Sequence, residues 1–261
     1  MKKKIIWLFY LLFAICFTFT AINIILHNTY YKALHLICVT TICLVGLTII
    51  YKNLSKNEKF IEKNYNKILI SFGIGMFIIE IVLGIALRYD PLWDVGAIHK
   101  GAIEWVETGT FENYYEYFYR FPNNLAAMTK STADFGNGTY GAEDFYNCNP
   151  QTDTKLHNWI LPEGKNYKKY ATYATSMHIA ILILMLTAAW GFVCSDDEKR
   201  KKMFSLYLTI FGVYLFLLCW ETNRRYFSNF APVIFICGTL GIDKFIEVCL
   251  RTKEKIKCGL K

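Results

Sequence analysis

Long stretches of this chain carry no charge, and that exclusion restricts its possible folds more than any other feature. Ile5 to Leu26, Leu34 to Ile50, Met177 to Cys194 and Met203 to Trp220 contain no Asp, Glu, Lys or Arg, and Ile68 to Leu87 contains Glu80 alone. A helix needs about 20 apolar residues to cross a bilayer core, with about 17 to 25 tolerated. Five spans follow directly. A sixth enters near Tyr226 and leaves before Arg251, with Asp243, Lys244 and Glu247 read as snorkelling residues at its inner end. The expected fold is an all-α membrane protein of about six transmembrane helices.

Composition agrees. Hydrophobic residues make up 54% of the 261, aromatic residues 17% and charged residues 19%, which excludes a disordered or low-complexity chain. The 9 Cys form no C-x-x-C pair and mostly lie inside apolar blocks, so neither a disulfide framework nor a zinc site is indicated. The start Met1-Lys2-Lys3-Lys4 before an apolar run resembles a signal peptide. That run exceeds the usual length of about 7 to 15 residues and no A-x-A site follows, so an uncleaved first span is expected.

Lys and Arg set the expected orientation. Lys2 to Lys4, the group Lys52, Lys56, Lys59, Lys63 and Lys67, the run Lys199 to Lys202, and Arg251, Lys253, Lys255, Lys257 and Lys261 all fall in segments that six spans place on one side. The positive-inside bias makes that side the cytoplasm, with both termini in it. The net charge of +8 is then a topology signal and not a nucleic-acid footprint. Three regions result: an N-terminal three-span unit over 1–88, an extracytoplasmic loop over 89–174 and a C-terminal three-span unit over 175–261.

The loop opens with Asp90-Pro91, an N-cap followed by Pro at the first helical position. Val95, Ile98, Ala102, Trp105 and Val106 then recur on one face, predicting an amphipathic surface helix that runs to about Thr108 and ends at Gly109. Next comes Tyr114-Tyr115-Glu116-Tyr117-Phe118-Tyr119-Arg120-Phe121-Pro122-Asn123-Asn124. It reads either as an aromatic belt at headgroup level or as a wall contacting sugar or polyprenyl. From Thr129 to Tyr170 turn-forming residues dominate, and irregular structure with little helix is expected.

An acidic helix directly after a span, then a Tyr-rich stretch closing in Pro-Asn-Asn, resembles the GT-C superfamily of integral-membrane glycosyltransferases, in particular bacterial members of the dolichyl-phosphate-mannose-protein mannosyltransferase type. Glu221-Thr222-Asn223-Arg224-Arg225-Tyr226, with Pro232 in the following span, is similar to a late Glu…Arg-Tyr…Pro segment of that family. The resemblance implies inverting transfer of a sugar from a polyprenyl-phosphate donor to an outward-facing acceptor, in a bacterial cell membrane. It implies Asp94 or Asp90 as the acidic residue of the first outer loop and Arg224 or Arg225 as the donor-phosphate contact. Tyr115, Tyr119, Asn123, Asn124 and Tyr226 would form the substrate wall. Family members carry more spans between these two stretches. The chain is then a pared-down enzyme, a non-catalytic relative binding a polyprenyl-linked sugar or a transferase, or one completed by a protein partner that supplies the missing helices.

The chemistry suits those residue types. A positioned carboxylate can take the acceptor proton, and a guanidinium fork matches phosphate better than an ammonium. Each residue also has a plainer reading: Asp90 as an N-cap alone, the Arg pair as a lipid-headgroup contact, Glu221 as its ion-pair partner. Glu80 is separate. It lies inside the third span, where an ionisable group is costly and becomes a functional candidate; a small transporter or flippase subunit would use it. His35 and His178 are its candidate partners. A divalent ion is allowed for, either with Glu80, His35 and His178 or at Asp94, although no ligand spacing marks one.

Overall fold

The computed structural model describes residues 3–26, 33–86, 103–104, 106–108, 154–194, 197–219 and 230–259. Every regular element among them is helical: α1 (Lys3–Leu26), α2 (Ala33–Lys56), α3 (Glu58–Lys63), α4 (Tyr65–Ala86), α5 (His157–Ile160), α6 (Tyr167–Cys194), α7 (Asp197–Cys219), α8 (Ala231–Thr239) and α9 (Ile242–Gly259). Four of them, α1, α2, α4 and α6, are long and apolar enough to cross a membrane. The expected all-α membrane fold is the fold found. The backbone chemistry requires it, since a helix satisfies its own N–H and C=O groups where no water is available.

The helices divide between two compact units, one formed by residues 1–56, 124–140 and 172–261 and the other by 57–123 and 141–171. In the first, α1 and α7 meet along a heptad seam. Ile6, Tyr10, Phe13, Phe17 and Thr20 are buried on α1, and Tyr207, Ile210 and Tyr214 on α7. Their spacing of three and four residues keeps one stripe facing a neighbour over several turns. The rings interlock: Tyr10 and Tyr207 lie 5.2 Å apart edge to face, Phe13 and Tyr207 5.0 Å, and Phe17 and Tyr214 4.8 Å. Such pairs add about 0.5–1.5 kcal/mol each beyond the area they bury.

The hydroxyls of the seam are satisfied. Tyr207 donates to the Met185 carbonyl at 3.1 Å, Tyr10 donates to the Arg200 carbonyl at 2.9 Å, and Thr20 and Tyr214 share a hydrogen bond of 3.0 Å. Polar atoms therefore face inward while Leu12, Ile15, Phe19 and Ile22 of α1 stay exposed. An apolar exterior of this extent would be a liability in water. In lipid it is the favoured arrangement.

The same contacts fix helix directions within this unit. Tyr10 with Arg200 and Thr20 with Tyr214 make α1 and α7 parallel. Trp7 donates from its indole to the Val193 carbonyl at 3.1 Å, which sets the start of α1 beside the end of α6. Tyr51, near the end of α2, donates to Asp243 at the start of α9 at 2.7 Å. Lys4, Lys52, Lys56, Arg200, Lys201 and Lys202 thus belong to one end of the bundle.

The expected sixth span is not one helix. It breaks at Leu240–Gly241 into the 9 residues of α8 and the 18 of α9. Close approach to α6 accounts for the position of the break. A Cβ on Gly241 would stand 1.9 Å from the Leu184 carbonyl oxygen, and one on Gly238 2.8 Å from Ile181 Cγ2. One turn on, the Lys244 stem lies over Gly191, whose Cβ would sit 3.2 Å from Lys244 Cγ. Small residues let helix backbones approach where hydrocarbon offers no hydrophobic drive. Asp243, Lys244 and Glu247 consequently fall on α9, outside the helices apolar enough to span. There Lys244 donates to Glu247 at 2.8 Å and Arg251 pairs with the same carboxylate. The hydrogen bond from Lys244, helped by the charge of Arg251, holds the Glu247 carboxyl below its ordinary range.

Two boundaries also differ from the sequence reading. α6 begins at Tyr167, ten residues before Met177, and α2 continues beyond Ile50 to Lys56. The amphipathic helix expected from Asp90 is described at residues 103–104 and 106–108, where Thr108 donates back to the Glu104 carbonyl at 2.7 Å.

Gly241→Ala is expected to lower unfolding stability in detergent by about 1–3 kcal/mol, the usual range for overpacking. Gly46→Ala, whose Cβ would meet nothing within 4 Å, should be neutral or stabilising. Equal thermal shifts for the two variants would contradict the close crossing.

Candidate functional site

Two polar settings stand out among the described residues, one in each unit. In the first unit the early turns of α6 bury Thr172, Thr175, Ser176 and His178, and α2 buries Thr40. Thr172, Thr175 and Ser176 share a helix face by their spacing of three and four. Thr and Ser on apolar helices commonly satisfy their hydroxyl on the carbonyl four residues back. Thr20, Thr41, Thr48 and Thr187 do so. Among the described residues, the hydroxyls of Ser176, fully buried, and Thr40, 5% exposed, have no hydrogen-bond partner. Each such group costs about 1–3 kcal/mol relative to a satisfied one.

Both residues stand about one turn before a shared apolar cluster. Cys43 of α2 and Ala180 of α6 belong to one apolar cluster with Leu44, Leu184 and Ile242. Thr40 lies a turn before Cys43 and Ser176 a turn before Ala180. Both are in the half of the bundle away from Lys56 and Arg200, about 10–14 Å along their helices at 1.5 Å per residue.

In the second unit, Thr154 donates its hydroxyl to the Ala86 carbonyl at 3.2 Å and so caps the end of α4. Its backbone N–H donates to Nδ1 of His157 at 3.1 Å. That donor makes Nδ1 an acceptor and leaves Nε2 to carry the ring proton in the neutral imidazole. His157 is 7% exposed. The turn around it is tight: the Asn166 N–H donates to the Asn158 carbonyl at 2.8 Å, and Gly164 packs on the backbone of Asn158 and Leu161, where a Cβ would meet atoms at 2.6–2.7 Å. A buried histidine with one nitrogen fixed is equipped to donate from the other. Sequence reasoning passed over it, because a lone His in a Pro- and Gly-containing loop has no periodic signal; the Thr-x-x-His spacing was the cue available.

Of the residues singled out from sequence, Asp90, Asp94, Tyr115, Tyr119, Asn123, Asn124, Arg224, Arg225 and Tyr226 lie outside the described residues. Glu80 is described. It sits on α4 with its side chain exposed. His35 is exposed on α2, and His178 is buried on α6. Among the described residues no group of three or more His, Cys, Asp or Glu is placed to hold a metal ion.

The helices and their apolar exteriors define an integral membrane protein. Over residues 129–246 the chain is similar to a protein family described as "conserved hypothetical integral membrane protein". No curated protein and no solved structure matches it.

Thr154→Val should uncap Ala86 and lower stability in detergent by about 1 kcal/mol, with Thr154→Ser close to wild type. Indistinguishable thermal midpoints for Thr154→Val and wild type would remove the cap from the account.

Proposed function

We propose that the protein is a membrane glycosyltransferase of GT-C type, moving a sugar from a polyprenyl-phosphate donor to an acceptor on the outer face. The observation that carries the reading is the buried polar stripe on α6 with the hydroxyls of Ser176 and Thr40, which meet no hydrogen-bond partner among the described residues. A hydroxyl buried among membrane helices is costly unless something hydroxylated or ionic meets it, and a sugar phosphate supplies such groups. Positive-inside bias makes the Lys- and Arg-bearing end of the bundle cytoplasmic, which assigns the stripe to the outer half. Arg224 and Arg225 follow the end of α7 by a few residues, and Asp90 and Asp94 follow the end of α4 by a few residues. In this scheme Asp94 takes the acceptor proton, with Asp90 as the second candidate, and the Arg pair stabilises the departing polyprenyl phosphate. Tyr115, Tyr119, Asn123, Asn124 and Tyr226 line the donor's sugar.

The test is transfer of radiolabel from a polyprenyl-phosphate sugar by purified protein. Asp94→Asn should abolish transfer with expression unchanged, and joint Arg224→Ala and Arg225→Ala should weaken donor binding. Ser176→Ala should weaken donor binding while leaving the stability of the unliganded protein unchanged or raised, because the alanine removes an unsatisfied group. Donor binding without turnover in the wild type would replace the enzyme by a non-catalytic relative. Absence of both binding and transfer would overturn the reading.

A further inference from the structure

α9 begins inside the bundle and ends outside it. Ile242 is buried in an apolar cluster with Cys43 and Leu44 of α2 and Ala180 and Leu184 of α6, and Phe245 and Ile246 pack on that cluster. Gly238 meets Ile181, Gly241 meets Leu184, and the Lys244 stem lies over Gly191, so α8 and α9 advance along α6 in its own direction. α6 stops at Cys194, within a turn of Gly191. Tyr51, which bonds to Asp243, is likewise near the end of α2. From about Val248 to Gly259, α9 therefore continues past the level at which two spanning helices stop. In a membrane that level is the border of the bilayer.

The charge balance changes at the same point. Asp243 and Glu247 are engaged by Tyr51, Lys244 and Arg251. Arg251, Lys253, Lys255 and Lys257 then follow, with Glu254 the one acid between them. Helix periodicity keeps apolar residues in step with these cations. Ile242, Phe245, Ile246, Cys249 and Ile256 share one side, and Lys244, Arg251 and Lys255 share another. Lys4, Lys52, Lys56 and Lys202 stand at the same end of the bundle.

We infer that the overhanging part of α9 is a lipid-binding segment, and that its partner is the anionic phospholipid of the adjoining leaflet. An amphipathic helix rich in Lys, at headgroup depth, gains from burial of its apolar side and from attraction to a negatively charged surface. Charge complementarity selects the partner. A zwitterionic headgroup offers the run of cations no net charge. A nucleic acid would match the cations but not the apolar residues in register with them. Val248 and Leu250 are exposed beside Arg251, which suits the boundary between headgroups and acyl chains better than bulk water. The inference uses α9 and the basic end of the bundle, and stands apart from the transferase reading.

Amide hydrogen exchange of the full chain in two lipid nanodiscs tests it, one of phosphatidylcholine alone and one with a third of that lipid replaced by phosphatidylglycerol. Residues 248–259 should exchange about tenfold more slowly in the anionic disc. High salt should remove the difference, because screened charges no longer attract. The triple variant Lys253→Gln, Lys255→Gln and Lys257→Gln should also remove it, with exchange of α1 and α7 unchanged to show an intact bundle. Equal exchange of residues 248–259 in the two discs would overturn the proposal. Fast exchange in both would mean that the segment is free of lipid, and slow exchange in both that another part of the chain or a second copy covers it. A difference that survives the triple variant would overturn it too, by assigning the lipid response to another surface.

Discussion

The seam between α1 and α7 is the contact on which the rest of the first unit depends. Lipid competes with protein for apolar surface on equal terms, so helices in a membrane are held by shape, small residues and hydrogen bonds. The seam uses shape and hydrogen bonds together. Tyr10, Tyr207 and Tyr214 bring ring area to fill the interface and hydroxyls that reach Arg200, Met185 and Thr20. Phe9 extends the packing to Phe204 and Phe211. Because Tyr207 also bonds to a carbonyl of α6, the seam ties three helices and determines which faces remain for α2 and α8.

A second constraint follows from it. With α6 anchored to α7, α8 has to cross α6 at Ile181 and Leu184, and only glycine at 238 and 241 leaves room. The helix breaks just there, and the charged residues that follow sit on α9, where Tyr51, Lys244 and Arg251 engage them. Break, glycines and charge cluster are one arrangement. At the opposite end the α6 face carries hydroxyls in place of apolar side chains, so the bundle is polarised along its length: ion pairs and basic residues at one end, a buried hydroxyl-lined stripe toward the other.

The spans of α1, α2, α4 and α6 were legible because charge-free blocks of about twenty residues have few other uses. Their boundaries were less so. Tyr167, Lys168, Lys169 and Tyr170 look like loop by polarity, yet they form the first turn of α6. Asp243, Lys244 and Glu247 marked trouble in the sixth span, but the cause lay in the backbone approach of Gly238 and Gly241 to another helix, which no local pattern reports. The heptad of Tyr and Phe on α1 was hidden for a related reason: when nearly every position is apolar, hydropathy gives no face. Ser176, Thr40 and His157 matter through burial and missing or fixed partners, which are properties of the packed chain. Asp94 and Arg224 were named from residue type and resemblance, and lie outside the described residues.

The central claim is that a polyprenyl-phosphate sugar enters the half of the bundle where α6 carries its buried hydroxyls. Photo-crosslinking with a diazirine-bearing polyprenyl-phosphate sugar, read by peptide mass spectrometry, addresses it most directly. The account predicts label on the early turns of α6 and on residues 220–229, lost when unmodified donor is added in excess. Label spread over the lipid-facing sides of α1 and α4 and insensitive to competing donor would contradict it.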